Sequence, residues 1–163
     1  MTYTIRKLDS FSTIGLEVEL TNNQASNAQI AKRFWTEFNS NLKKQYLLQS
    51  GNWTKYAFME RRSGKLLYYC AIPKRTVVST FIEKNIKKQM YLVVEHIGTM
   101  ERLPSTYSRI YKELIPNSEF EVIRDDFLHF EKYDQRFHWN RENSIIEIWI
   151  PIRNVDLSRR LLT

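Results

Sequence analysis

The chain has 163 residues, a net charge of +7, 42% hydrophobic and 26% charged residues, and only four glycines and four prolines. This composition fits one folded domain and excludes a disordered or linker-rich chain. The single cysteine, Cys70, excludes an internal disulfide, and no apolar stretch is long enough to span a membrane. Because the N-terminus has no apolar signal region, we expect a cytoplasmic protein.

Seven strands and two helices are predicted along the chain. The first helix is predicted from a capping box, Ser26-x-x-Gln29, which is followed by apolar residues at helical spacing. The second is predicted to begin at Pro104 and to end before Pro116. The strand-like runs are 3–8, 13–20, 53–60, 66–72, 91–97, 127–133 and 144–150. The order, β-α-β-β followed by β-α-β-β, predicts an α+β fold with an antiparallel sheet and helices packed against it.

An internal repeat is indicated by two Ile-Pro pairs, at 72–73 and 150–151, which are offset by 78 residues. The same offset aligns 14–17 with 92–95. We therefore expect one domain over 1–163, with pseudo-repeats at about 1–73 and 90–152, a solvated crossover at 74–89 and a C-terminal tail at 153–163. Two such halves leave a groove where they meet, which is a common place for a ligand site.

Glu147 is a lone carboxylate in the apolar run SIIEIWIPI, which we expect to end as a strand at Pro151. Side chains alternate along a strand, so Glu147 shares one face with Ile145 and Trp149. An acid in this position is either exposed to solvent, or half of a salt bridge, or the central acid of a ligand pocket. A pocket acid requires that its side chain face a cavity rather than a neighbouring guanidinium.

Six short motifs occur in order between residues 3 and 152. They are Ile14-Gly15-Leu16, Phe34-Trp35-x-x-Phe38, MYLVVEHIG at 90–98, Thr106-Tyr107-Ser108-x-Ile110-Tyr111, Phe130-Glu131-x-Tyr133 and EIWIPI at 147–152. Together they resemble the GyrI-like small-molecule-binding domain, which is also the effector-binding domain of AraC- and MerR-type multidrug regulators. The resemblance implies a duplicated β-α-β-β module with two main helices and an aromatic pocket at the pseudo-twofold junction.

The resemblance also implies a site. In drug-binding relatives a buried glutamate meets lipophilic cations, and the matching residue here is Glu147. Trp149 is the expected wall beside it. The other candidate ligand-binding residues are Tyr69, Ala71, Ile145, Tyr133, Trp35, Tyr107 and Tyr111. The three histidines are not spaced as metal ligands, so we expect neither a metal nor a cofactor.

The leading hypothesis is a drug-sensing or sequestering protein that binds lipophilic aromatic, often cationic, small molecules. A first alternative is a hydrolase of strained lipophilic compounds that uses Glu147 as a general base. A second is a module that binds a protein or nucleic acid through its basic surface. Regulators with this domain carry a DNA-binding segment before it, for which the chain has no room, so we expect no direct contact with nucleic acid. We expect no membrane contact either.

Overall fold

The computed structural model describes residues 1–49, 51 and 53–155. Its elements are β1 (Thr4–Leu8), β2 (Phe11–Glu19), α1 (Gln24–Lys44), β3 (Lys55–Arg62), β4 (Lys65–Pro73), β5 (Ile82–Ile86), β6 (Gln89–Ile97), α2 (Leu103–Arg109), β7 (Phe120–Val122), β8 (His129–Tyr133) and β9 (Ile145–Asn154). The strands form an antiparallel sheet in the order β1-β6-β9-β8-β3-β4-β2-β5, with β7 paired to β9. The predicted α+β fold is thus confirmed. Within these residues, no helix combines the length and the apolar character needed to cross a bilayer.

Helix α1 begins at Gln24 and buries one face through Phe34, Phe38 and Leu42, which are spaced four residues apart. Its N-cap is Asn23, whose side-chain oxygen accepts a hydrogen bond from the Ser26 amide at 2.9 Å. The predicted cap at Ser26 is therefore wrong, because Asn23 already satisfies a free amide of the first turn and Ser26 lies inside the helix.

Helix α2 begins one residue before the predicted Pro104 and follows a 3-10 turn, Met100–Arg102. A π-helical turn, Ile110–Leu114, continues it, so the helical region ends before Pro116 as predicted. This turn buries Ile110, and the Ile115 amide donates to the Ile110 carbonyl at 2.9 Å. The wider turn brings the second half of the helical region onto the sheet.

Strand β9 does not end at Pro151, as the sequence analysis predicted, but continues to Asn154. The Pro151 carbonyl accepts a hydrogen bond from the Ile123 amide at 2.9 Å, just beyond the end of β7. Within a strand, the N–H and the C=O of one residue point to the same side. The N–H that Pro151 lacks would therefore also point beyond the end of β7. The proline therefore interrupts none of the pairs between β7 and β9.

The two faces of the sheet have different contents. One face carries both helices, and its central row runs Leu16, Cys70, Ala57, Glu131, Ile148, Val94 across neighbouring strands. The opposite face carries a buried aromatic cluster that includes Phe58, Phe130 and Trp149, with the rings of Phe130 and Trp149 stacked 5.4 Å apart. Glu131 is thus a lone carboxylate in the row beneath the helices.

The strand registers support the internal repeat. Adding 78 to each residue of the pair Gly15–Ala71 gives the pair Val93–Trp149, which is also a pair in the sheet. Ala71 of β4 pairs with Tyr56 of β3, and Trp149 of β9 pairs with Phe130 of β8. The middle strands β3 and β8 are therefore related by an offset of 74 residues. Under this relation Ala57 corresponds to Glu131, and these two residues face each other where β3 meets β8. The junction of the two halves therefore lies at this pair.

The segment 74–89, expected to be a solvated crossover, contains strand β5, which pairs with β2. Strand β7 was also missed by the sequence analysis, and it is only three residues long. Both strands are short and carry charged residues, so they lack the apolar run by which the other strands were recognised.

Candidate functional site

An aromatic cavity of about 360 Å³ lies beside the junction of the two halves, between α1 and the ends of β3 and β8. It is lined by Lys32, Trp35, Thr36, Asn39, Trp53, Lys55, Met100, Tyr133, Phe137 and Trp139. Half of these residues are aromatic, and they come from α1, the segment before β3, β8 and the connection from β8 to β9. The volume falls in the range of roughly 300–1,000 Å³ that is typical of small-molecule sites.

The walls of the aromatic cavity hold one another in place. Trp35 points its indole N–H at the Tyr68 hydroxyl oxygen, 2.9 Å away. The Tyr133 ring meets Trp35 edge-on with the ring centres 5.3 Å apart, and Phe137 meets Tyr133 in the same way at 5.0 Å. Edge-to-face pairs are favoured by the charge distribution of aromatic rings. The rings are therefore arranged before any ligand arrives.

The rim of the aromatic cavity is half exposed and carries cations. Trp139 is 42% exposed, and the Lys32 ammonium lies 5.4 Å from the centre of its indole. Lys55 donates to the Asn39 side-chain oxygen at 2.7 Å and lies 5.3 Å from the centre of the Trp53 ring. Partial burial lowers the pKa of Lys55.

A buried acid lies behind one wall. Tyr133, whose ring lines the aromatic cavity, donates its hydroxyl hydrogen to Glu131 at 3.3 Å. Burial raises the pKa of Glu131 to about 7, and the hydrogen bond from the Tyr133 hydroxyl opposes that rise. The Tyr107 hydroxyl is also buried close to this carboxylate, but it forms no hydrogen bond with any of the residues that the structure describes. Glu131 therefore retains its proton to a higher pH than an exposed glutamate would, and Tyr133 separates it from the cavity.

Two of the residues predicted for the site, Trp35 and Tyr133, line the aromatic cavity. Tyr107 and Tyr111 do not: they lie on α2 and its π-helical continuation, where both rings pack near His129. The Tyr111 hydroxyl lies 3.3 Å from the His129 ring nitrogen Nδ1. These two tyrosines contribute to the buried layer around Glu131 and His129.

Glu147 is not part of the aromatic cavity, contrary to the expectation from the resemblance. It pairs with Lys132 across the sheet, and Lys132 alternates with Tyr133, so Glu147 is on the face opposite the cavity. Its carboxylate accepts hydrogen bonds from Arg136 at 2.6 Å and from the Trp149 indole at 3.0 Å. It also borders an open groove of about 510 Å³ whose lining includes the charged Arg6, Glu95 and Arg109.

The neighbours predicted for Glu147 share its face of the sheet and do not line the aromatic cavity. Trp149 is 2% exposed and stacks on Phe130, while Ala71 is completely buried. Tyr69 donates its hydroxyl hydrogen to the Ile82 carbonyl at 2.9 Å, which ties β4 to β5. Ile145 alternates onto the same face as Glu147 and pairs with Ile97. These residues form core and sheet contacts.

Glu147 belongs to an arginine network, the rest of which occurs in both halves of the chain. In the first half Arg62 binds Glu60 and Glu17, and the same offsets of 74 and 78 residues give Arg136, Asp134 and Glu95 in the second half. Glu147 adds one more carboxylate to the second network. Of the three alternatives that the sequence left open for Glu147, the salt bridge therefore matches its contacts.

Sequence reasoning missed the cavity residues outside the regular elements, namely Trp53, Phe137 and Trp139. Trp53 lies two residues before the start of β3, and the other two lie in the connection between β8 and β9. The one available signal was the density of aromatic residues in the RFHW stretch at 136–139, which is unusual for a simple hairpin connection.

A two-helix antiparallel sheet with an aromatic cavity beside the pairing of β3 with β8 is an arrangement that can hold a small molecule. The profile of the family Cass2, described as integron-associated effector binding protein, matches residues 4–152. The chain therefore belongs to this family, and the predicted resemblance to GyrI-like effector-binding domains is confirmed.

Solved structures share the fold. The structure of SAV2435 bound to tetraphenylphosphonium has a TM-score of 0.70 at 18% identity, covering 94% of both chains. The integron cassette protein VCH_CASS2 of Vibrio cholerae has a TM-score of 0.66 at 15% identity, covering 93% of this chain and 95% of its own. The EcmrR C-terminal domain has a TM-score of 0.64 at 12% identity, covering 94% and 98%. A search of curated protein sequences found no match.

Proposed function

We propose that this protein binds lipophilic aromatic small molecules in the aromatic cavity and acts as a sensor or a sequestering protein for them. The observation that carries the proposal is the convergence of five aromatic side chains from separate segments on one cavity of about 360 Å³. Flat aromatic ligands gain apolar burial and ring–ring contacts against such walls. That SAV2435, a relative in fold, binds tetraphenylphosphonium supports a ligand with aromatic rings.

The cationic form of this hypothesis needs an acid, and Glu131 is the candidate that replaces Glu147. A cationic ligand would favour the charged form of this carboxylate, which burial disfavours in the empty protein. The cation would first have to displace the Tyr133 hydroxyl from Glu131. A cation site at Glu131 therefore requires Tyr133 to move, whereas a ligand held by the aromatic walls does not.

The proposal predicts that Trp139→Ala weakens the binding of Nile red, a neutral aromatic dye whose fluorescence rises in apolar surroundings. Trp139 is 42% exposed, so its removal takes away a cavity wall without opening the core. We expect the dissociation constant to rise about three- to tenfold, the size of a lost ring–ring contact. The measurement is a fluorescence titration, with thermal unfolding to check that the variant is folded.

The matched control is Tyr46→Ala, because Tyr46 is an aromatic residue that is 93% exposed and lies outside the aromatic cavity. This variant should bind the dye as the wild type does. Equal affinity of all three proteins, or no saturable binding by the wild type, would contradict the proposed site.

A further inference from the structure

The charged side chains that line the aromatic cavity are both lysines. Besides its aromatic rings and Met100, the lining consists of Lys32, Lys55, Thr36 and Asn39, without a carboxylate. Within the described part of the chain, neither lysine forms an ion pair. Glu131, the buried acid on this side of the sheet, is capped by the Tyr133 hydroxyl behind the wall. The lysine charges are therefore not neutralised locally.

Two neighbouring side chains fix the position of the Lys55 ammonium group at the cavity. Its ammonium group is fixed by the hydrogen bond to Asn39 and by the face of the Trp53 ring. An ammonium has three N–H donors, and the Asn39 oxygen accepts only one of them. The group is also half buried, so it has lost part of its hydration, and its pKa is lowered for that reason. A ligand oxygen that approached through the cavity would restore the lost contacts.

Lys32 supplies a second positive charge at the rim. It extends from α1, and its ammonium lies over the Trp139 ring at 5.4 Å from the ring centre. A ring face positions a cation but leaves its outer N–H donors unpaired. Both lysines thus stand beside an indole, where an aromatic ligand with a charged substituent would place that substituent.

We propose that the aromatic cavity selects aromatic carboxylates over aromatic cations, with the ligand rings against Trp35 and Tyr133 and the carboxylate on Lys55 and Lys32. This inference rests on the proposed function, because it specifies the ligand class of the same cavity. Opposite charges attract across the cavity, and the net charge of +7 adds a long-range preference for anions. A lipophilic cation would have to pass two ammonium groups before it reached Glu131.

The test compares three ligands that share one ring system: 2-naphthoate, 2-naphthamide and 2-naphthylmethylammonium. They carry a negative charge, no charge and a positive charge, so differences in affinity report the substituent. We expect 2-naphthoate to bind at least about tenfold more tightly than the ammonium ligand at low ionic strength, with 2-naphthamide between them. Isothermal titration calorimetry at constant pH measures all three.

Variants assign the preference to the two lysines. Lys55→Met and Lys32→Met should each lower the affinity for 2-naphthoate relative to that for 2-naphthamide about threefold or more, whereas Lys55→Arg should retain the preference for the anion. Lys32 is exposed, so its variant tests the proposal even if Lys55→Met unfolds. Lys44→Met is the matched control, since Lys44 is an exposed lysine of α1 outside the aromatic cavity. It should behave as the wild type.

The outcomes separate the two proposals. If the three ligands bind equally, or if the ammonium ligand binds most tightly, the inference is overturned and aromatic binding stands. An anion preference that survives both methionine variants also overturns it, because the charge would then act from elsewhere. If no naphthalene ligand binds and Nile red does not bind either, the proposed function fails together with the inference.

Discussion

Glu131 and Glu147 are carboxylates on adjacent strands that lie on opposite faces of the sheet. Glu147 lies 2.6 Å from the Arg136 guanidinium, so its charge is compensated by a partner from the β8–β9 connection. Glu131 accepts a hydrogen bond from the Tyr133 hydroxyl, and burial raises its pKa to about 7. The two residues look alike in the sequence, and their roles differ because of what the fold places beside them.

At the residue scale, Glu147→Gln should destabilise the protein without affecting ligands of the aromatic cavity. The amide still accepts from Trp149 but loses the charge that pairs with Arg136. Since the Arg136 side chain is 34% exposed, we expect a loss of only about 1 kcal/mol in the free energy of unfolding. Urea unfolding measures the loss, and a Nile red titration measures affinity.

The control for this prediction is Glu121→Gln, which removes a more exposed pair with Arg153 and should change stability by less than about 0.5 kcal/mol. If Glu147→Gln weakened dye binding at unchanged stability, the role that the family resemblance assigned to Glu147 would be restored.

At the element scale, α1 supplies both core and cavity. Phe34, Phe38 and Leu42 face the sheet, while Trp35 and Asn39, four residues apart, reach the aromatic cavity. The position of these side chains depends on where the helix starts. The cap at Asn23 therefore fixes the first turn of the element that forms one wall of the site.

Replacing Asn23 with alanine tests this assignment. The variant loses the side-chain acceptor for the Ser26 amide, and we expect the free energy of unfolding to fall by about 1 kcal/mol. Ser26→Ala should change stability little, because the Ser26 side chain lies within the helix and alanine favours that conformation. Urea unfolding of both variants shows which of the two residues caps the helix. A larger loss of unfolding free energy for Ser26→Ala than for Asn23→Ala would support the predicted capping box instead.

At the scale of the whole molecule, the pH dependence of stability includes two opposing contributions, from the buried Glu131 and the partly buried His129. Glu131 has a raised pKa of about 7, so between about pH 4.5 and 7 the folded protein retains a proton that the unfolded chain releases. This contribution lowers stability as pH rises. Burial lowers the pKa of His129 to about 4, so between about pH 4 and 6.5 the unfolded chain binds the extra proton, and this contribution raises stability with pH.

Comparison of Glu131→Gln with the wild type isolates the first contribution. The difference in unfolding free energy should shift in favour of the variant by about 3 kcal/mol between about pH 4.5 and 8, and stay constant above about pH 8. Carboxylates with lowered pKa, such as Glu17 and Asp134, titrate below this window. Urea unfolding at several pH values measures the shift, and the exposed Glu119→Gln should follow the wild type. A constant difference across the range would mean that Glu131 is not perturbed by burial.

The sequence by itself determined the fold class, the family and most of the elements. Regular spacing of apolar residues marks α1 and the long strands because burial of one face is a local, periodic requirement. It also indicated Trp35 and Tyr133, which line the aromatic cavity. The short strands β5 and β7 escaped prediction because they are held by partners rather than by their own apolar pattern.

Only the tertiary structure decided which charged side chains lie at the aromatic cavity. Arg136 reaches Glu147 through the β8–β9 connection, and Lys55 meets Asn39 across β3 and α1. Such pairings join residues that are distant in the chain or that lie in irregular segments, where no periodicity reports the direction of a side chain. Charge and hydrogen bonding act over a few ångströms in space, so the chemistry of the cavity is fixed by packing and not by local sequence pattern.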